Sequence, residues 1–382
     1  MKMTTVPLKI SSLKVQRLDI PLAQPIVMSF GTVSKQNIVL VRIADQDGAE
    51  GCGEAAILGG PYWGTESAEG VQAAIEKYIA PAILGVPLGG LEAAALLLGK
   101  TIRGNAAAKS AVEMAILDLL GRRLDASSAI FLGGLCRTQI PVAWTLSTGN
   151  VETDIAEGES ALLDRGHRRF KVKLAKTNIA QDVQRVASII EAFHGRATVI
   201  ADVNQGWDEV TALRYLPLLQ EAGLEAIEQP LPGHDLAGIV RVRSRLNIEV
   251  IADEVLTDAS TALLLSAKGA ASVFALKPNR DGGVINTKRL AGIANAAGIK
   301  LYGGTALETS LGTAASAILY GSIPELQLGS ELFGPLRLEC DLAGASLSVR
   351  NGVLDVPTGP GLGVTLDEDR IRELAERTSS VP

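Results

Sequence analysis

Hydrophobic positions along the chain change their period twice. From about Ile10 to Glu54 they alternate, as in Val15-Gln16-Arg17-Leu18-Asp19-Ile20 and in Ile38-Val39-Leu40-Val41-Arg42-Ile43 ahead of the turn Asp45-Gln46-Asp47-Gly48. A period of two belongs to strands with one buried face, so an antiparallel sheet is predicted here. From Ser67 to Ala80, Leu91 to Arg103 and most clearly Ala106 to Leu124, apolar residues recur at three- and four-residue steps, which predicts helices. Beyond the linker Leu132-Gly133-Gly134-Leu135-Cys136, short apolar runs alternate with helical patterns, the rhythm of a parallel α/β sheet. The runs are Val142–Leu146, Arg169–Lys173, Thr198–Asp202, Ala226–Glu228, Glu249–Asp253, Ser272–Lys277, Lys300–Gly303 and Leu326–Leu332, enough to close a barrel. After Cys340, alternation returns from Leu347 to Val356, followed by a polar helix. The predicted fold class is therefore α/β: a modified (β/α) TIM-like barrel over 136–340, an α+β capping domain over 1–135, and a C-terminal segment, 341–382, that packs back on the cap.

Charges mark the ends of the apolar runs. Asp202, Glu228, Asp253 and Lys277 each close one, at steps of 26, 25 and 24 residues (202 to 228, 228 to 253, 253 to 277). In a (β/α) barrel the carboxyl ends of the strands form the face that carries chemistry. Asp202, Glu228 and Asp253 are hard oxygen donors with no His or Cys among them, a set suited to Mg²⁺ or Mn²⁺ and not to zinc. Lys171 and Lys173 lie two apart on one strand and share a face. Mutual repulsion and burial are expected to lower the pKa of one of them, making it a base near neutral pH. Lys277 ends the strand four along from theirs, across the closed barrel. A lysine on either side of a metal-held carboxylate can remove and deliver a proton while the cation stabilises an enediolate.

Composition narrows the partners. With 382 residues, 47% hydrophobic and 20% charged, the chain has the make-up of an ordinary globular protein. A net charge of −6 argues against nucleic acid and against an anionic membrane surface, leaving a small-molecule substrate. Cys52, Cys136 and Cys340 are too few and too scattered for a disulfide framework, which suits the cytoplasm. No signal peptide is expected from the first residues, and the apolar runs are broken within about 12 residues, short of a membrane span.

With these residues in place, the chain resembles the enolase superfamily, and within it the muconate lactonizing group, over nearly its full length. The likeness is carried by Lys171-Val172-Lys173, Asp202-Val203-Asn204, Ile227-Glu228-Gln229-Pro230, Ala252-Asp253-Glu254, Lys277 before Gly282-Gly283, Gly303-Gly304-Thr305 with Leu307-Glu308-Thr309, and Glu331-Leu332-Phe333-Gly334-Pro335. Leu58-Gly59-Gly60-Pro61-Tyr62-Trp63-Gly64, Arg103-Gly104-Asn105 and Val142-Ala143-Trp144-Thr145-Leu146 strengthen the match to muconate and chloromuconate cycloisomerases. The resemblance implies that Asp202, Glu228 and Asp253 bind the metal, that Lys173 is the acid/base lysine tuned by Lys171, that Lys277 lies opposite, and that Glu331 is the glutamate ending the last strand. It implies an isomerase of aromatic hydrocarbon catabolism that converts a muconate-type dicarboxylate through an enolate protonated by Lys173. Gly59 and Gly60 would belong to a loop closing over the substrate, with Asn204, Arg280 and Glu308 also among the substrate-binding positions. A homo-oligomer is implied, the octamer being one such assembly.

Two stretches depart from the pattern. Where these cycloisomerases usually carry Ile-Ala-Lys before the glycine pair, this chain has Pro278-Asn279-Arg280-Asp281, and its first cap loop, Met28 to Lys35, is only loosely similar. Arg280 could clamp a carboxylate in bidentate fashion, whereas Asp281 would repel a dianion and attract a substrate ammonium. The alternative reaction is thus racemisation, epimerisation or dehydration of a small carboxylic acid such as an amino or imino acid.

Overall fold

The alternating N-terminal stretch forms the antiparallel strands Leu8–Met28, Gly31–Asp45 and Glu50–Leu58, with Pro87–Leu88 added on the far edge of the first. The computed structural model describes residues 8–28, 31–62, 64–174 and 178–379; Ser29 and Phe30 of the first cap loop and Trp63 of the glycine loop lie outside them. The helix Ala106–Arg123 packs against this sheet so closely that a Cβ on Gly51 or Gly53 would fall 2.3 Å from the Ala115 carbonyl oxygen or 2.1 Å from that of Ala111. Only glycine permits that approach.

The apolar runs after the linker form a parallel sheet of seven strands: Trp144–Leu146, Arg169–Lys173, Thr198–Asp202, Ala226–Glu228, Glu249–Ala252, Val273–Leu276 and Lys300–Gly303, side by side in chain order. Helices connect them, as parallel pairing requires. Ile200, Ala226, Ile251, Val273, Ala275, Tyr302 and Leu328 fill the interior as a separate buried cluster. The expected eighth strand, Leu326–Leu332, is not a strand. Gly329, at φ +67°, breaks the extended run, and only Ser330 bridges in parallel to Val142 on one side and Gly303 on the other. The ring still closes there through backbone bonds: Ser330 N to the Pro141 oxygen at 2.8 Å, Ala143 N to the Ser330 oxygen at 2.7 Å, and Glu331 N to the Gly303 oxygen at 2.8 Å.

The first barrel strand is also shorter than its apolar run. Gln139–Pro141 pairs instead with Val353–Asp355 of the tail, which itself pairs with Val349–Arg350. The last helix, Glu368–Ser379, lies on the first cap strand, where Asp19 N donates to Thr378 Oγ1 at 2.8 Å, and Arg42 of the second strand pairs with Glu368 at 2.8 Å.

Candidate active site

Register assembles the site. Side chains alternate along a strand, so Lys171 and Lys173 face one way while Phe170, its ring tilted against that of Phe193 with centroids 4.5 Å apart, faces the helices. Parallel pairing sets Lys173 beside Asp202, Asp202 beside Glu228, and Glu228 beside Ile251, so that Asp253 follows one pleat further on. Lys277 ends the strand second from one end of the seven, and Lys173 ends the strand second from the other. In a closed ring those positions are opposed. Lys171, Asp202, Glu228, Asp253 and Lys277 are each at most 2% exposed.

Buried charges are tolerable only when paired and hydrogen-bonded. Lys171 Nζ donates to Glu228 at 2.8 Å and Glu331 at 3.0 Å and lies 3.0 Å from Asp202. Lys173 Nζ donates to Asp202 Oδ2 at 2.7 Å and Asn204 Oδ1 at 2.9 Å. On the far side Lys277 Nζ donates to Asp253 Oδ2 at 2.6 Å, and Arg280 holds the other oxygen at 2.5 Å. The repulsion expected between Lys171 and Lys173 does not set the charge of Lys171. Burial alone would lower its pKa, but Asp202, Glu228 and Glu331 together hold it well above the ordinary lysine value. Lys277 is likewise raised, burial being outweighed mainly by Asp253. Asp202 is lowered by Lys171 and Lys173 against the effect of burial. Glu228 goes the other way: burial raises its pKa strongly, and the nearby negative charges of Asp202, Asp253 and Glu331 add to that against Lys171.

That imbalance is what a cation would correct. Glu228 Oε2 is buried with no hydrogen-bond partner, and the donor set is three carboxylates, the ligands preferred by hard divalent ions. Among the described residues no three acidic, His or Cys side chains already stand close enough to hold a metal, because Asp202 and Asp253 turn toward Lys173 and Lys277. The residues present fit a divalent cation in chemistry.

Comparison with known proteins places this arrangement. Residues 10–133 match the mandelate racemase/muconate lactonizing enzyme N-terminal domain, and residues 154–370 match the enolase C-terminal domain-like family. The chain is 41% identical over 365 residues to a chloromuconate cycloisomerase of Pseudomonas sp. strain P51, covering 96% of this chain and 98% of that one. It is 42% identical over 360 residues to muconate cycloisomerase 1 of Pseudomonas putida, covering 94% and 96%. The structure of a muconate lactonizing enzyme from Pseudomonas fluorescens complexed with muconolactone superposes with a TM-score of 0.94 at 40% identity, over 96% of this chain and 99% of that one. The chain belongs to the muconate lactonizing group of the enolase superfamily.

In this member of the muconate lactonizing group, a cavity of about 60 Å³ is lined by Lys171, Lys173, Lys277 and Glu331, with Thr145, Thr305, Ala306, Leu307, Leu58 and Phe333 around them. Asn204 does not line it; its side chain bridges Lys173 and Glu254. A larger cleft of about 600 Å³ reaches Asp253 and Arg280 from the side of Gly60, while Gly59 lines a separate surface pocket with Val33 and Lys35. Arg280 is committed to Asp253 and Asp281. Asp281, 4% exposed, accepts from Lys277 N at 3.0 Å and from Arg280 at 2.7 and 2.9 Å, so it presents no open charge to a substrate, contrary to the expectation from sequence. Glu308 is tucked beneath its loop, accepting from Thr305 Oγ1 at 2.5 Å and Ala306 N at 3.0 Å.

Sequence reasoning missed several supports of this site. Gln229 Oε1 accepts from the backbone N–H groups of Asp253 at 3.0 Å and Val255 at 3.2 Å, which fixes the turn that presents Asp253. Asn279 ties Ala56 of the cap to the barrel through both its backbone groups, at 3.0 and 3.2 Å. Both residues sit in stretches that the motif reading quoted without giving them a task.

Proposed function

We propose that this protein is a divalent-metal-dependent cycloisomerase that lactonizes cis,cis-muconate or a substituted muconate. The observation that carries the reading is the opposition of Lys173 and Lys277 across one cavity, each ammonium held by a carboxylate of the Asp202, Glu228, Asp253 set. Relatives of known name that cover nearly the whole chain are muconate and chloromuconate cycloisomerases, which supports the substrate class.

In the reaction, one carboxylate oxygen adds to the far carbon of the unsaturated bond conjugated with the other carboxylate. A C–O bond forms, and the electron pair moves onto that second carboxylate as an enolate. A proton then goes to the carbon next to it. Lys173 Nζ, at the cavity wall and steadied by Asp202 and Asn204, delivers that proton. Lys277 on the opposite wall supplies positive charge beside the developing enolate. Lys171, held cationic by three carboxylates, is a fixed charge and not a proton donor; it keeps Glu228 and Glu331 in place. The divalent ion, Mg²⁺ or Mn²⁺, would be held by Asp202, Glu228 and Asp253 and supplies stabilisation of negative charge on the substrate carboxylate.

The alternative reaction on an amino acid needs an acidic partner for the substrate ammonium. Asp281 does not offer one, because Arg280 engages one of its oxygens and the Lys277 N–H the other. The test is loss of cis,cis-muconate absorbance on adding the protein with Mn²⁺, abolished by EDTA and restored by excess Mn²⁺. Solvent deuterium exchange into a small carboxylic acid without muconate turnover would reverse the assignment in favour of the racemase or epimerase reading.

A further inference from the structure

The loop 304–309 forms one wall of the cavity, and two residues of the cap hold it. Gln36, on the second cap strand and 0% exposed, donates from Nε2 to the carbonyl oxygens of Ala306 at 2.6 Å and Leu307 at 2.9 Å. Glu54, on the third and 1% exposed, accepts from Thr309 N at 2.8 Å and Thr309 Oγ1 at 2.5 Å. Thr309 is the N-cap of the buried helix Ser310–Ser322. The two cap residues thus grip the loop at its crest and at its exit.

The loop needs the grip. Leu307 has φ +60°, a left-handed conformation that strains a side chain-bearing residue and persists only where its surroundings enforce it. Its carbonyl is one of the two that Gln36 holds, and its N–H is turned onto Thr305 Oγ1 at 2.9 Å. At the start of the loop, Gly304 lies against the Lys277 side chain so tightly that a Cβ there would fall 2.4 Å from Lys277 Cε. Gly304 N also donates to the Leu276 carbonyl at 2.8 Å. A shift of this loop therefore moves the packing surface of the Lys277 stem.

We infer that Gln36 and Glu54 are positioning residues for the reaction: without touching substrate, they clamp the 304–309 loop so that Lys277 and the cavity wall keep their working geometry. The inference rests on the cycloisomerase reading above and adds that the cap, besides covering the barrel, sets the placement of a catalytic group inside it. A displacement of about 1 Å at a reacting site costs roughly 10²-fold in rate, so the effect should be large.

The test is steady-state turnover of muconate by the full-length protein with Mn²⁺, well below its melting temperature. Gln36→Met keeps the volume and removes both donors. It should lower kcat by roughly 10- to 100-fold while KM and Mn²⁺ affinity move by less than about threefold. Glu54→Ala should act in the same direction. Glu54→Gln, which keeps an acceptor for Thr309 N and gains a donor for its hydroxyl, should recover most of the kcat lost in Glu54→Ala. A purely structural role would lower melting temperature and yield without that rescue and with kcat of the folded protein intact. An active wild type with a folded Gln36→Met of unchanged kcat overturns the inference alone. If Glu54→Ala does not fold, Gln36→Met decides. A wild type that turns over no muconate overturns the cycloisomerase reading and this inference with it.

Discussion

The strand ends of the barrel and the inner face of the cap both bury polar groups, but they do so by different means. At the strand ends, Lys173 and Lys277 flank the three adjacent carboxylates Asp202, Glu228 and Asp253, and Lys171, Lys173 and Lys277 each stand within 3.0 Å of at least one carboxylate. In the cap, Glu54 and Glu113 are buried carboxyls with no cation at hydrogen-bond distance among the described residues. Glu54 leans on Thr309, and Glu113, on the helix Ala106–Arg123, accepts from Ile285 N at 2.9 Å. Burial pushes both up to about 8, the hydrogen bonds from Thr309 and from Ile285 offsetting only part of the effect. The difference teaches what each region is for. Charge paired with charge suits the proposed work of holding an ion and moving a proton; buried carboxyls bonded to backbone N–H groups make a joint between cap and barrel.

The largest expected effect is in the barrel. Lys173→Ala should lower turnover by about 10²- to 10⁴-fold, the range for loss of a positioned proton donor, with far-ultraviolet circular dichroism unchanged because the residue is only part-buried. An active Lys173→Ala variant breaks the role assigned to it. Next comes Lys171→Met, which leaves Asp202, Glu228 and Glu331 without their shared ammonium and should cost about 3–5 kcal/mol in urea unfolding of the metal-free protein. Added Mn²⁺ should return part of that loss. A change below about 1 kcal/mol would mean that the network is held by something other than Lys171.

The effect that is smallest at each pH step sharpens the cap side. Glu113 is about 8 in the folded chain against an ordinary carboxyl value of 4.5 when unfolded, so the folded state binds the extra proton between those values. Its contribution is fully present below pH ~4.5 and is lost as pH rises through about 8, at up to about 1.4 kcal/mol per pH unit. Glu113→Gln should flatten the fall in stability over that window relative to wild type, as read from urea midpoints at a series of pH values. An identical pH slope in the two proteins would contradict the raised pKa.

The barrel half of this comparison was legible in the sequence because the βα repeat spaces Asp202, Glu228, Asp253 and Lys277 evenly and each ends an apolar run. What the spacing could not reveal was who answers whom. Lys171 beside Lys173 reads as repulsion along one strand, yet its partners Glu228, on another strand, and Glu331, in the segment that closes the ring, reverse the sign. Asp281 reads as a free charge, yet its own helical turn folds Arg280 and the Lys277 N–H onto it. The run Leu326–Leu332 has strand composition, but the left-handed Gly329 leaves only Ser330 to close the ring. The cap was legible as a sheet and silent as a joint: Gln36 stands in the polar run Ser34-Lys35-Gln36-Asn37 and Glu54 among small residues of the next strand, and their partners lie 255 to 271 residues away.

The claim at the centre is that Lys173 delivers one proton to one face of an enolate. Turnover of cis,cis-muconate in deuterated water, followed by proton NMR of the lactone, tests it most directly. One deuterium on the carbon beside the free carboxylate, in a single configuration and absent from the product pool of Lys173→Ala, is the predicted result. Deuterium divided between both configurations, or delivered equally well by the Lys173→Ala protein, would contradict it.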